Sequence, residues 1–88
     1  MTANDIRGGD RIKRLRMRCW RRGTREMDLI LGPYADSQAA HLSEGELVAL
    51  EALLDENDQD LYAWVSGRSA APAHHRDLIE RLKARVIG

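Results

Sequence analysis

Apolar residues recur three and four positions apart along most of this 88-residue chain, and no segment alternates between apolar and polar residues. Such spacing places apolar side chains on one face of an α-helix, whereas a half-buried strand requires alternation. A chain of this length forms one small domain with a limited core. The sequence therefore predicts an all-α fold, a compact bundle of about five short helices.

Capping residues and glycines give the bounds of the first two helices. Asp10 is placed to cap a first helix that runs to about Arg22, and Gly23 is placed to end it, because glycine readily takes the left-handed conformation. The second helix begins at once, with acidic residues in its first turn. Pro33 lies within its apolar pattern and predicts either a kink or a restart of the helix.

The second half of the chain contains three further helical patterns. Ser43 and Glu46 form a capping box before a third helix. Asn57 or Asp58 caps a short fourth helix that a glycine ends. A loop follows at residues 69–75, and a fifth amphipathic helix then carries basic residues in its last turns.

The two ends of the chain and its one cysteine limit the class of protein. The first nine residues lack periodicity, so we expect a flexible tail at residues 1–9 and a single domain at residues 10–88. One cysteine, Cys19, excludes an internal disulfide. No apolar run approaches the roughly 18 residues of a membrane span, and the N-terminus lacks the apolar region of a secretory signal. We expect a soluble, cytoplasmic protein of bacterial type.

Equal numbers of basic and acidic residues conceal a strong segregation of charge. Residues 1–25 contain nine Lys or Arg, residues 26–67 contain ten acids and no Lys or Arg, and residues 68–88 are again basic. The basic first helix is typical of a protein that binds nucleic-acid phosphates. In so small a bundle, however, the acidic middle would face that helix. A solvated helix face and a surface that docks on an acidic protein therefore stay open as well.

Motifs for metal binding and catalysis are missing from the sequence. The three histidines and Cys19 lack the spacing of zinc ligands, and the adjacent His74 and His75 are expected to face apart, so we predict no metal site. The acidic run at residues 55–60 lacks the glycine and the glutamate of a calcium loop. Cys19 lies on an apolar stripe, and no nucleophile elbow or phosphate-binding loop is present. We therefore predict that the chain is not an enzyme.

The junction after the first helix carries the most specific pattern. Arg22 and Glu26 are four positions apart across Gly23, so a tight corner would project both side chains from one exposed junction. Two interpretations are equally open. The pair is either a helix cap with a weak ion pair, or a guanidinium and a carboxylate held rigidly for a partner.

Three stretches of the chain match a known pattern. Residues 22–26, Arg-Gly-Thr-Arg-Glu, fit an R-G-x-x-E signature, and residues 41–67 contain an acidic turn before an L-x-x-W element at Leu61 to Trp64. A short amphipathic helix then closes the chain. In these features the sequence resembles the SdhE-type succinate dehydrogenase assembly factors, which in mitochondria are the flavinylation factors of the same complex. The resemblance covers residues 10–86 and implies a five-helix bundle.

The resemblance also implies a function and a set of site residues. Members of that family bind the flavoprotein subunit of succinate dehydrogenase, often also that of fumarate reductase, and promote covalent attachment of FAD to a histidine of that subunit. No stably bound cofactor is implied, since the FAD belongs to the partner flavoprotein. Arg22, Gly23 and Glu26 would form the contact surface, with Arg25 and Trp20 beside it.

Two rival functions stay open from the residues alone. One is a small nucleic-acid-binding regulator that uses the basic helix, and the other is a helical interaction module for an unrelated acidic protein. We expect a monomer, with a weak dimer through the neighbourhood of Trp20, Met27 and Tyr34 as the alternative. The expected compartment is the bacterial cytoplasm, with the mitochondrial matrix for eukaryotic relatives.

Overall fold

The computed structural model describes the backbone of residues 3–87 and the side chains of residues 9–85. Within residues 3–87 it contains five α-helices and no strand, which confirms the predicted all-α bundle. Short 3₁₀ turns at Ala39–His41 and Ala73–His75 precede the third and fifth helices. The helices are α1 (Ala3–Trp20), α2 (Arg25–Gln38), α3 (Glu44–Leu54), α4 (Asp58–Val65) and α5 (Arg76–Ile87).

One apolar core joins the inner faces of all five helices. Buried side chains come from every helix, and the largest fully buried ones are Leu15, Met27, Leu31, Leu50, Leu53, Leu61, Ile79 and Leu82. Met27 and Tyr34 belong to this core. These two residues are therefore not part of the exposed surface of that neighbourhood, and the weak dimer stays a prediction. Trp20, the third residue of that neighbourhood, is 39% exposed.

The start of α1 corrects one prediction. The helix begins at Ala3, so Asp10 does not cap it and instead pairs with Arg14 one turn later in the same helix. Glycine costs roughly 1 kcal/mol in a helix interior, which is why the sequence pattern suggested a break. A cost of that size does not forbid the helix. The flexible tail at residues 1–9 and the domain at residues 10–88 stay predictions. The side chains of residues 1–8 and of Val86 lie outside the described residues.

The other helix boundaries follow the local sequence closely. The capping box of Ser43 and Glu46 is present, and Asn57, not Asp58, caps α4. The predicted restart at Pro33 is wrong, since α2 runs through it to Gln38. Proline removes the hydrogen bond to the carbonyl four residues earlier, that of Leu29. Leu29 is 55% exposed, so water can replace the missing donor.

A glycine allows α1 and α2 to approach closely. A Cβ atom added at Gly32 would overlap the ring of Trp20. The Trp20 ring therefore covers the bare backbone of α2, and its indole N–H donates to Asp36 at 3.2 Å. Trp20 is partly exposed but held at both its face and its nitrogen.

Replacing Gly32 with alanine tests this contact. The added methyl group must displace the Trp20 ring, and such overpacking typically costs about 1–3 kcal/mol. We expect Gly32→Ala to lower the free energy of unfolding in urea by an amount in that range. Gly45→Ala is the matched control, because Gly45 is also helical and a Cβ atom there meets nothing within 4 Å. Equal stability of the two variants would contradict the proposed close approach.

The segregated charges of the sequence meet as ion pairs between helices. Arginines along α1 pair with acids of α2, of α3 and of the turn after α3: Arg11 with Glu44 and Glu51, Arg16 with Asp36, and Arg18 with Asp55. Exposed pairs of this kind each contribute little to stability. Their arrangement nevertheless shows that the acidic middle of the chain does face the basic helix.

The capping box of α3 also contacts α5. Hydrogen bonds from the Ser43 backbone, from Arg81 and from the Ser43 hydroxyl lower the pKa of Glu46 to about 2. Arg81 donates to Glu46 at 2.7 Å. The same carboxylate thus caps α3 and joins it to α5.

The lowered pKa of Glu46 predicts a pH dependence of stability. In the unfolded chain a glutamate titrates near about 4.3, so the charged form stabilises the fold above that pH and the contribution disappears as the pH falls towards about 2. We expect Glu46→Gln to be less stable than the parent protein at neutral pH, with the difference shrinking between roughly pH 5 and pH 2. Urea unfolding at several pH values measures this. A difference that stays constant over that range would contradict the assignment.

Candidate partner-docking corner

The connection between α1 and α2 is a short segment at residues 21–24, which we call the corner. Gly23 lies there at φ +104°, a conformation that residues with a side chain rarely adopt. Thr24 caps α2, and its hydroxyl accepts from the Met27 N–H at 3.4 Å. On the other side of the glycine, the Arg22 N–H donates to the Asp28 carboxylate at 2.7 Å. Hydrogen bonds on both sides therefore hold the glycine turn.

The side chain of Arg22 points inward, contrary to the expectation that it projects from the corner. It is 12% exposed, and its guanidinium donates to Asp58 at 2.9 Å and to the carbonyls of Leu54 and Glu56, each at 2.6 Å. Leu54 is the last residue of α3, where carbonyls lack helical partners and carry partial negative charge. A guanidinium satisfies several such acceptors at once. Arg22 thus fastens the corner to the turn between α3 and α4.

Asp58, the first residue of α4, contacts the corner, whereas the sequence analysis considered it only as a helix cap. Its carboxylate accepts from Arg22 and, at 3.3 Å, from the hydroxyl of Thr24. The sequence showed an acid at the start of a helix, which is a common position for a cap or a dipole partner. Nothing in the local pattern indicates an ion pair with a residue 36 positions away.

The remaining predicted site residues lie on the surface in two places. Gly23, Arg25 and Glu26 are exposed at the corner and the first turn of α2. Glu26 borders a shallow groove of about 210 Å³, which we call the Glu26 groove, lined by Thr24, Glu26, Asp58, Gln59 and Tyr62. Trp20 lies instead in a second groove, with Lys13, Arg16, Met17, Arg21 and Asp36. The structure therefore brings Glu26 together with Tyr62, which the sequence analysis did not select.

The electrostatics of the Glu26 groove are acidic with one aromatic wall. Asp58 is already engaged by Arg22 and Thr24, whereas the Glu26 carboxylate is exposed at the rim. Tyr62 is 38% exposed and lines the same groove, and the Arg68 guanidinium lies 5.8 Å from the centroid of its ring. A carboxylate next to an aromatic face is an arrangement that attracts a cationic side chain.

The structure also shows the environment of the cysteine and of the two adjacent histidines, which are residue types that can react or bind metals. Cys19 is fully buried, and burial raises the pKa of its thiol to about 12, so the thiol is unreactive at neutral pH. His74 and His75 do not face apart as expected. Their ring centroids are 4.0 Å apart, and the buried His75 contacts Glu56 at 2.8 Å. Glu56 belongs to the turn that Arg22 holds, and its carbonyl accepts from Arg22.

The fold and the corner define a small helical protein that presents a rigidly held surface corner. The Sdh5 family model, described as flavinator of succinate dehydrogenase, matches residues 13–86. The chain belongs to this family. The match includes the whole corner and all of α2, α3 and α4.

Relatives from bacteria and fungi carry names that agree with the family. The chain is 43% identical over 54 residues to the FAD assembly factor SdhE of Legionella pneumophila (strain Lens), an alignment that covers 61% of this chain and 67% of that protein. It is 36% identical over 67 residues to the FAD assembly factor SdhE of Haemophilus ducreyi, an alignment that covers 75% of this chain and 82% of that protein. It is also 38% identical over 63 residues to the mitochondrial succinate dehydrogenase assembly factor 2 of Mycosarcoma maydis. That alignment covers 72% of this chain but only 26% of the fungal protein.

The comparison with solved structures gave no match. Among the described residues, no helix has both the length and the apolar character needed to cross a membrane.

The inward role of Arg22 can be tested by a change that keeps its charge. Lysine offers a single point of donation and cannot reach two carbonyls and a carboxylate together. Hydrogen bonds to charged groups contribute about 1.5–3 kcal/mol, so we expect Arg22→Lys to destabilise the fold by an amount of that order in urea unfolding.

Arg21→Lys is the matched control for that experiment. Arg21 is the exposed neighbour, and surface changes of this kind usually stay within about 0.5 kcal/mol. If both variants were as stable as the parent protein, the corner would not depend on the Arg22 guanidinium.

Proposed function

We propose that this chain is a non-catalytic assembly factor that binds the flavoprotein subunit of succinate dehydrogenase and promotes covalent attachment of FAD to it. The FAD belongs to the flavoprotein, and the chain itself holds no stably bound cofactor. The observation that carries the proposal is the family match over residues 13–86, with an Arg-Gly-Thr-Arg-Glu corner held in one conformation.

The contact surface of this proposal is the exposed part of the corner. Gly23 leaves the backbone bare where a partner approaches, and Arg25 and Glu26 stand beside it. The Glu26 groove would receive a basic side chain of the flavoprotein, which Glu26 pairs with and the Tyr62 ring covers. Trp20 lies in the neighbouring groove and would extend the contact along α1.

Arg22 has a different part in this proposal from the one that its sequence position suggested. Its guanidinium is used by Asp58, Leu54 and Glu56, so it acts on the partner by fixing the corner rather than by pairing with an acid across the interface. A preorganised surface loses less conformational freedom on binding, and more of the interaction energy then remains for affinity. Loss of Arg22 would therefore weaken binding without removing a direct contact.

Promotion of FAD attachment follows from selective binding. Attachment requires the acceptor histidine and the flavin to be held in reacting geometry, and such positioning can be worth several kcal/mol of barrier. An assembly factor that binds the immature flavoprotein better in that arrangement shifts the population towards it. The chemistry then proceeds on the flavoprotein, and the factor supplies binding energy only.

The ion pairs of α1 weigh against the nucleic-acid alternative. Arg11, Arg16 and Arg18 are each engaged by acids of the same chain. Phosphate binding would have to compete with these internal partners. The structure thus favours a protein partner over a nucleic acid.

Co-expression with the flavoprotein subunit tests the proposal. We expect Glu26→Ala to reduce covalent flavin, measured as in-gel flavin fluorescence per amount of flavoprotein, and to reduce recovery of the flavoprotein in a pull-down. Tyr62→Ala should reduce both in the same direction, because it removes the other wall of the groove. If Glu26→Ala gave as much covalent flavin as the parent protein, the role assigned to the groove would be contradicted.

Glu80→Ala on α5 serves as the matched control, since it removes an exposed carboxylate outside the Glu26 groove. It should leave both readouts unchanged. Repeating the experiment with the flavoprotein of fumarate reductase asks whether the same surface serves a second client.

A further inference from the structure

Three metal-ligating side chains converge outside the corner. Glu56, His74 and His75 each place one ligand atom within 4.8 Å of the others. The His75 Nε2 atom lies 2.8 Å from a Glu56 carboxylate oxygen, and the two imidazole rings lie 4.0 Å apart.

The backbone holds two of these residues in place. The Glu56 N–H donates to Leu53 at 3.0 Å, and its carbonyl accepts from Arg22 at 2.6 Å. The His75 N–H donates to Pro72 at 2.9 Å. Its ring is 2% exposed and lies against Trp64, with the ring centroids 5.7 Å apart. His74 is exposed and can adjust, so the site has a fixed pair and one movable ligand.

The contact between Glu56 and His75 is by itself an ordinary, partly buried hydrogen bond. This bond does not explain why the imidazole of His74 lies beside that of His75. A carboxylate and two imidazoles form a donor set that suits zinc better than calcium or magnesium, which prefer oxygen ligands alone. The carboxylate also supplies negative charge beside a cation.

The distances are within reach of zinc geometry. Tetrahedral bonds of about 2.0–2.1 Å place neighbouring ligand atoms roughly 3.3 Å apart. The contact between Glu56 and His75 would open by about half an ångström, and the separations that involve His74 would close by at most about 1.5 Å. Rotation of the exposed His74 side chain provides that closure without disturbing the core.

We propose that Glu56, His74 and His75 form a zinc-binding site with its fourth position open to water or to a ligand from another molecule. The site joins the turn after α3 to the 3₁₀ turn before α5. Zinc bound there bridges two segments of the folded chain, so it stabilises the folded state by mass action. The ligand side chains lie outside the Glu26 groove, and Glu56 contacts the corner only through its backbone carbonyl, which accepts from Arg22.

Calorimetric titration of the untagged full chain with zinc chloride, in a buffer that does not chelate zinc, tests the site. We expect one zinc ion per chain, a higher melting temperature with zinc, and no binding of magnesium chloride. Changes to outer-shell partners of metal ligands already cost about 10–100-fold in affinity, so loss of a ligand should cost at least about tenfold. His74→Gln and Glu56→Gln should each show that loss.

His41→Gln is the matched control, because His41 is the remaining one of the three histidines and lies outside the cluster. It should bind zinc like the parent protein. His74 is exposed and Glu56 keeps its backbone contacts when its side chain changes, so both variants should fold, and circular dichroism checks this. No zinc binding by the parent protein, or equal affinity of His74→Gln and His41→Gln, would overturn the proposal.

Discussion

The packing of the helices around the corner depends on the hydrogen bonds of the Arg22 guanidinium. The guanidinium joins the corner between α1 and α2 to the end of α3 and the start of α4, through two carbonyls and one carboxylate. A helix end leaves carbonyls without partners, and burying them unsatisfied would be costly. One planar cation resolves this while it fixes the position of the glycine turn. The conformation of the corner is therefore set by packing between segments distant in the sequence, not by the motif at residues 22–26 alone.

This fastening explains how a small protein can present a defined surface on a short connection. Connections of this length are often mobile, and a mobile surface loses entropy when it binds. Here Thr24, Asp28 and Asp58 fix the polar groups around Gly23, so the exposed residues of the motif keep one arrangement. Under the proposed function, the energy of binding can then be directed to the conformation of the flavoprotein rather than to ordering the corner.

The same packing explains the segregation of charge along the sequence. The basic α1 and the acidic middle of the chain look like two separate binding surfaces in the sequence, but they pair with each other in the bundle. Each exposed pair is weak, and together they favour one orientation of α1 over its alternatives. Of the acids near the corner, Asp28 and Asp58 accept from Arg22, whereas Glu26 is exposed at the rim of the Glu26 groove.

The sequence by itself determined the helices, most of their caps, the glycine turn and the family resemblance, because these depend on residues within one or two turns of each other. It placed Gly23, Arg25 and Glu26 on the surface correctly. Only the tertiary structure decided that Arg22 points inward, that Tyr62 lies beside Glu26, and that Glu56 meets the two histidines. Those contacts join residues 18 to 36 positions apart, and their geometry is set by how the helices pack rather than by any local pattern.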